Sequence, residues 1–188
     1  MANEIEKHCN SPMNKASKLG HVYYYCYFGH NQDESSHFLR WIIGQLCRQS
    51  TNVPHELQNI YRSGKEPSLS SLLDILHCLL EQFERVYVVL DAVDESIPRA
   101  DLLRVIRDLS TDARFLTLGL LVTSRQYIDI EQALEACSTL ITMSNPFVEE
   151  DIGIFVQSTI QSSVTFQRWP EDLRNEMQER IPKQAKGM

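Results

Sequence analysis

The chain has 188 residues and 21.7 kDa, with 43% hydrophobic and 23% charged side chains and a formal net charge of -7. These values suit one folded domain with a real core, not a disordered chain. The acidic balance excludes a nucleic-acid module, whose field must be positive to neutralise phosphates. No apolar run approaches the roughly 20 residues of a membrane helix, and the polar, acidic start, Met1 to Glu6, is unlike a signal peptide.

Five cysteines stand at 9, 26, 47, 78 and 137, an odd number without a CxxC pair. Cys26, Cys47 and Cys78 lie in apolar segments, where a free thiol behaves as a small hydrophobe. That usage suits a reducing, cytoplasmic compartment. The six histidines are scattered, and nothing has zinc-ligand spacing.

In chain order, residues 1–9 read as a short helix and 10–20 as a turn-rich loop. His21 to Phe28 (HVYYYCYF) is aromatic and β-branched with no polar face, which predicts a strand covered on both sides. Tyr23, Tyr24, Tyr25 and Tyr27 are expected to be buried there. Leu39, Ile42, Ile43 and Leu46 repeat at helical spacing, and Trp41 is expected to pack. Pro54 opens a further helix and Gly64 ends it. Ser68 or Ser70 caps the next, whose apolar stripe is Leu69, Leu72, Leu73, Leu76, Leu80 and Phe83.

Arg85 to Leu90 (RVYVVL) reads as a buried strand, Leu102, Leu103, Ile106 and Leu109 as a helix, and Thr117 to Val122 (TLGLLV) as another buried strand. A short helix near 128–135, a weak strand near 138–142 and two helices beyond Asn145-Pro146 complete the chain. Strands that are continuous apolar runs, alternating with helices, predict an α/β fold: a parallel sheet between two helical layers. In such sheets ligands sit at the carboxyl ends of the strands.

The residues at those ends carry the chemistry. After Val86 to Leu90 come Asp91, Asp94 and Glu95. A carboxylate at the mouth of a sheet can hold Mg²⁺ beside a triphosphate, and a second can orient or deprotonate water. The alternative is that these acids cap a helix or stay solvated. The spacing does not fit the Asp-x-Asp of aspartate-nucleophile phosphatases. At the end of the next strand stand Thr123, Ser124 and Arg125. The planar fork of arginine can grip a phosphate, or Arg125 can pair with Asp91 or Asp94.

The segments YYYCYFGHNQDESSHFLRWIIGQLC, LDAVDES, LLVTSRQYIDI and KQAKGM resemble, in order and interval, the NACHT-type domains of fungal STAND signalling proteins. Within these the chain is similar to the nephrocystin-3-like N-terminal domain family. The resemblance runs from about residue 20 to the end. It implies a P-loop ATPase or GTPase fold of the ASCE type, sheet order 5-1-4-3-2, with Mg²⁺ and ATP or GTP as cofactors. It makes Asp91 the Walker B metal acid and Asp94 and Glu95 the acidic pair of hydrolysis. Arg125 becomes the sensor arginine, with Thr123 and Ser124 beside it.

One departure bears on function. The family's phosphate loop, GxxxxGK[ST], is absent; Gly64-Lys65 has Asn59 where the first glycine should be and Glu66 where the hydroxyl should be. The chain is expected to begin one strand and one loop too late. Residues 1–20 then form a residual helix and loop, 21–146 the core, and 147–188 the start of a helical region. The sheet would lack its central first strand, leaving the sensor strand at an edge and the strand near 138–142 to drift or to close the gap. Three functions follow. The chain is a truncated signalling NTPase module with weak or no nucleotide binding and no hydrolysis. Alternatively, it is a half-domain that pairs with full-length NACHT proteins or with itself. A third reading is an active NTPase with an unrecognised phosphate loop.

Overall fold

Apolar periodicity sets most of the elements. The structure, a computed structural model, describes residues 2–11, 18–142 and 147–185. They divide into two compact units, Met1–Thr139 and Leu140–Met188. The first unit contains α1 (Ala2–Cys9), β1 (Leu19–Tyr25), α2 (Ser35–Gln49), α3 (His55–Ser63), α4 (Leu69–Leu80), β2 (Arg85–Asp91), α5 (Ala100–Thr111), β3 (Leu118–Val122) and α6 (Ile128–Leu134). Ser68 caps α4 by accepting from Ser71 N at 3.2 Å, and Gly64 takes the left-handed conformation that ends α3. The second unit holds α7 (Val148–Ser162), α8 (Val164–Gln167) and α9 (Glu171–Ala185). In it, Val156 and Ile160 of α7 are buried. Among the described residues no helix is long and apolar enough to cross a membrane.

The sheet is parallel, in the order β1-β2-β3, with Tyr24 beside Leu90 and Leu90 beside Val122. The fold is thus α/β with a three-stranded parallel sheet flanked by helices. Val22, Tyr24 and Cys26, Val86, Val88 and Leu90, and Leu118, Leu120 and Val122 share one face, because side chains alternate along a strand. They meet α2, α4 and α5 in a single core in which Phe38, Leu39, Ile42, Leu46, Leu76 and Leu102 are fully buried. Each such side chain contributes about 1.5–3 kcal/mol. The other face receives α1, where His8 meets Tyr87 edge-on with ring centroids 6.0 Å apart.

Several expectations are corrected. β1 ends at Tyr25, and Phe28 opens a 3-10 turn. Only Tyr24 of the four tyrosines is buried; Tyr23, Tyr25 and Tyr27 are 40%, 55% and 52% exposed, because the second face is not covered at the carboxyl end of β1. Trp41 is half exposed on the outer side of α2. β3 is half-buried along its whole length, not enclosed. Residues 138–142 form no strand, and Leu140 and Ile141 are exposed. The loop at 10–20 lies largely outside the described residues, as does Asn145-Pro146.

The two edges of the sheet differ. Backbone groups of His21 and Tyr23 face outward from β1, since Cys26 N turns the other way, to Asp91 O. Gln45 and Gln49 of α2 satisfy them. Gln49 Nε2 donates to His21 O at 2.7 Å, and Gln49 Oε1 accepts from His21 N at 3.1 Å. Gln45 does the same for Tyr23, at 2.7 and 3.3 Å. In β3, Thr123 N donates to Leu90 O and Thr117 O accepts from Val86 N. Leu118, Leu120 and Val122 therefore turn their backbone groups to the far edge, where among the described residues no strand lies.

Candidate functional site

Four apolar residues carry β2 through the core and deliver Asp91 at its mouth, half-buried. The chain then turns sharply. Ala92 adopts φ 58°, a left-handed conformation that a side chain disfavours by about 1–2 kcal/mol. Thr123 offsets that cost from the end of β3. Its hydroxyl accepts from Ala92 N at 3.0 Å and donates to Asp91 Oδ1, and its carbonyl accepts from Val93 N at 3.0 Å.

The acidic pair splits across the mouth. Asp94 is buried at 8% exposure and faces the β3 side, where Oδ1 accepts from Arg125 N at 3.1 Å and Oδ2 lies 3.5 Å from Arg125 Nε. The rest of the Arg125 side chain, 76% exposed, reaches into solvent. Glu95 faces the β1 side and accepts from Phe28 N at 3.4 Å. Ser124 is exposed between Thr123 and Arg125. All six residues singled out by sequence thus gather at the carboxyl ends of β2 and β3. Their direct pairs are Asp91 with Thr123 and Asp94 with Arg125.

Other site residues carried no signal in the sequence. Glu34 is fully buried where α2 begins, and its carboxylate accepts from the Tyr24 hydroxyl and meets His30 Nδ1 at 2.6 Å. His30 and Glu34 are four apart, but His30 lies in the 3-10 turn, so helical periodicity does not connect them. Glu34 N also donates to the buried Ser96 Oγ at 3.2 Å, tying the loop after β1 to the acidic loop. Arg99 donates to Asp94 O at 2.8 Å and to both carboxylate oxygens of Asp129 at the start of α6, at 2.7 and 3.3 Å. Its guanidinium also stacks 4.9 Å above the Tyr127 ring.

The electrostatics follow. Burial, then the neighbouring carboxylates Glu34, Glu95, Asp94 and Asp91, pushes the Cys26 thiol up to about 12. Burial and the hydrogen bond to Glu34 raise the Tyr24 hydroxyl. The hydrogen bond from Arg99 holds the Asp129 carboxyl below its ordinary value.

A closed metal site does not fit: the described residues contain no group of three His, Cys, Asp or Glu able to surround an ion. Mg²⁺ of the open kind does fit, since it takes one or two carboxylates and completes its shell with water and substrate phosphate. Asp91 Oδ1 accepts from Thr123, and its second carboxylate oxygen is the one that would take such an ion.

Among curated proteins, none matches the chain. A family model described as nephrocystin 3, N-terminal, matches residues 1–125. That stretch takes in β1, β2 and β3, the acidic loop and the segment ending at Arg125, and it is more than half of the 188 residues. The match stops short of α6 and the second unit, which the sequence resemblance had included. With residues 1–125 matched, the chain belongs to the nephrocystin 3 N-terminal family.

Proposed function

We propose that the chain is a NACHT-type signalling NTPase module of the cytoplasm, in which the mouth of the sheet is a Mg²⁺–nucleotide site that binds ATP or GTP weakly and does not turn it over. The observation that carries this reading is the pairing of Asp91 with Thr123 at adjacent strand ends, with the Arg125 fork held beside them and open to solvent. Asp91 would take the metal, Arg125 and Thr123 would face phosphate, and Glu95 would stand nearest the attacking water. Phosphoryl transfer depends almost wholly on positioning and charge stabilisation. The 188 residues hold no Gly-rich loop to cradle the phosphates, so negligible hydrolysis follows. Titration of a fluorescent ATP or GTP analogue with Mg²⁺ tests this. We expect binding weaker than micromolar that falls further in Asp91→Ala. Micromolar binding that depends on Asp91, with phosphate release above background, would overturn the inactive reading; weak binding indifferent to Asp91→Ala would overturn the site.

The bare edge of β3 favours a second reading, in which the chain pairs with full-length NACHT proteins by adding its sheet to theirs. One edge of the sheet is closed by glutamine amides, and at the other Leu118, Leu120 and Val122 turn their backbone groups to a side where, among the described residues, no strand lies. Strand addition uses such an edge.

A further inference from the structure

The segment after β3 and the loop after β2 are joined by two arginine–aspartate links that run in opposite directions. Arg125, in the segment after β3, reaches Asp94 of the acidic loop. Arg99, at the end of that loop, reaches Asp129 at the start of α6. The links meet at Asp94, whose carboxylate holds Arg125 and whose carbonyl accepts from Arg99 Nη1.

Arg99 is only 16% exposed in its side chain and uses all three guanidinium nitrogens, with Tyr127 beneath the plane. A lysine could not reproduce this, because one ammonium cannot fork between a carbonyl and a bidentate carboxylate. Arg125 by contrast spends its backbone N–H and Nε on Asp94 and leaves both terminal nitrogens to solvent.

We propose that Arg99 is a positioning residue: by fixing Asp94 and the start of α6 together, it sets where the Arg125 fork stands and makes an oxyanion gripped by that fork felt at α6. The proposal rests on the mouth being a phosphate site for its ligand, but not for the positioning itself. The hydrogen bond that Arg99 donates to Asp129 further favours the charged form of Arg99, in keeping with a link that stays intact.

The test uses the full chain, labelled with ¹⁵N on its arginines, and pyrophosphate with Mg²⁺ as the probe. The Nε–H signal of Arg125 reports its hold on Asp94. We expect this signal to shift in Arg99→Lys and in Asp129→Asn, and Asp129→Glu to restore part of it. Asp112→Asn, which breaks a surface pair with Arg114, should leave it unmoved. Pyrophosphate affinity should fall at least about fivefold in Arg99→Lys, the lower end of common coupling between sites, and pyrophosphate should slow amide exchange in α6 of the wild type only. Should Arg99→Lys fail to fold, Asp129→Asn decides, since Asp129 is half exposed. An Arg125 signal identical to wild type in the folded variants would overturn the proposal. Wild-type protein that ignores pyrophosphate would overturn the phosphate reading, and the positioning role would then stand or fall on the Arg125 signal alone.

Discussion

Cys26 shows how single residues acquire properties from their surroundings. Its neighbours along the chain, Tyr25 and Tyr27, are exposed, yet its own side chain is 4% exposed and faces Glu34, Asp91, Asp94 and Glu95. A thiolate would be both buried and surrounded by like charge, so the thiol form persists far above neutral pH. Iodoacetamide at pH 8 should therefore leave Cys26 unmodified in the native protein and alkylate it only after unfolding. Mass spectrometry would read this, and native labelling of Cys26 at the rate of a free thiol would contradict it. The sequence put Cys26 within an apolar strand; the residue lies one position beyond the end of β1 and is still buried. The sequence could not show the four acids, because Glu34 comes from the start of α2 and Asp91, Asp94 and Glu95 from the end of β2 and the turn after it, which only the parallel register of β1 and β2 brings together.

At the level of elements, glutamine amides stand where a neighbouring strand would pair with the outer edge of β1. Gln45 and Gln49 are four helical residues apart, about 6 Å along the axis, while His21 and Tyr23 are two strand residues apart, about 6.6 Å. The near match lets each amide donate to and accept from one outward-facing residue of β1. An unpaired edge invites pairing with other chains. Gln45→Ala with Gln49→Ala should thus lower stability by about 2 kcal/mol, four exposed or part-buried hydrogen bonds each at the low end of roughly 0.5–1.5 kcal/mol. It should also make the protein self-associate as concentration rises. Sedimentation at several concentrations checks this; an unchanged monomer would show that the amides are not what keeps β1 closed. The sequence marked the apolar side of α2 through Leu39, Ile42, Ile43 and Leu46, and the structure buries all four. It was silent on the glutamines, since polar residues on a helix normally face water.

The two edges give the sheet a direction: glutamine amides close the edge beside β1, and among the described residues no strand lies beside β3. Leu121 lies on the less covered face of β3, level with Val89, and is half-buried. A charged side chain there is a common way to blunt an edge. Leu121→Lys should abolish any pairing with a full-length relative, read by co-sedimentation, while thermal unfolding stays cooperative. Pairing that survives the substitution would place the contact elsewhere and count against the second functional reading.

The sequence by itself determined the α/β class, the positions of β1, β2 and β3 within a few residues, and the residues at their mouths. These are local properties: apolar runs need burial, and a polar residue directly after such a run must stand at its end. The resemblance to the nephrocystin-3-like family was legible in the same segments. Only the tertiary structure decided which face of β1 is covered, that residues 138–142 form no strand, and that Asp94 and Glu95 turn to opposite sides. It alone joined Arg99 to Asp129 and Glu34 to Tyr24 and His30. Those outcomes depend on residues distant in sequence becoming neighbours. A pattern of hydrophobicity specifies which side chains must leave water, but not which polar groups will meet once they do.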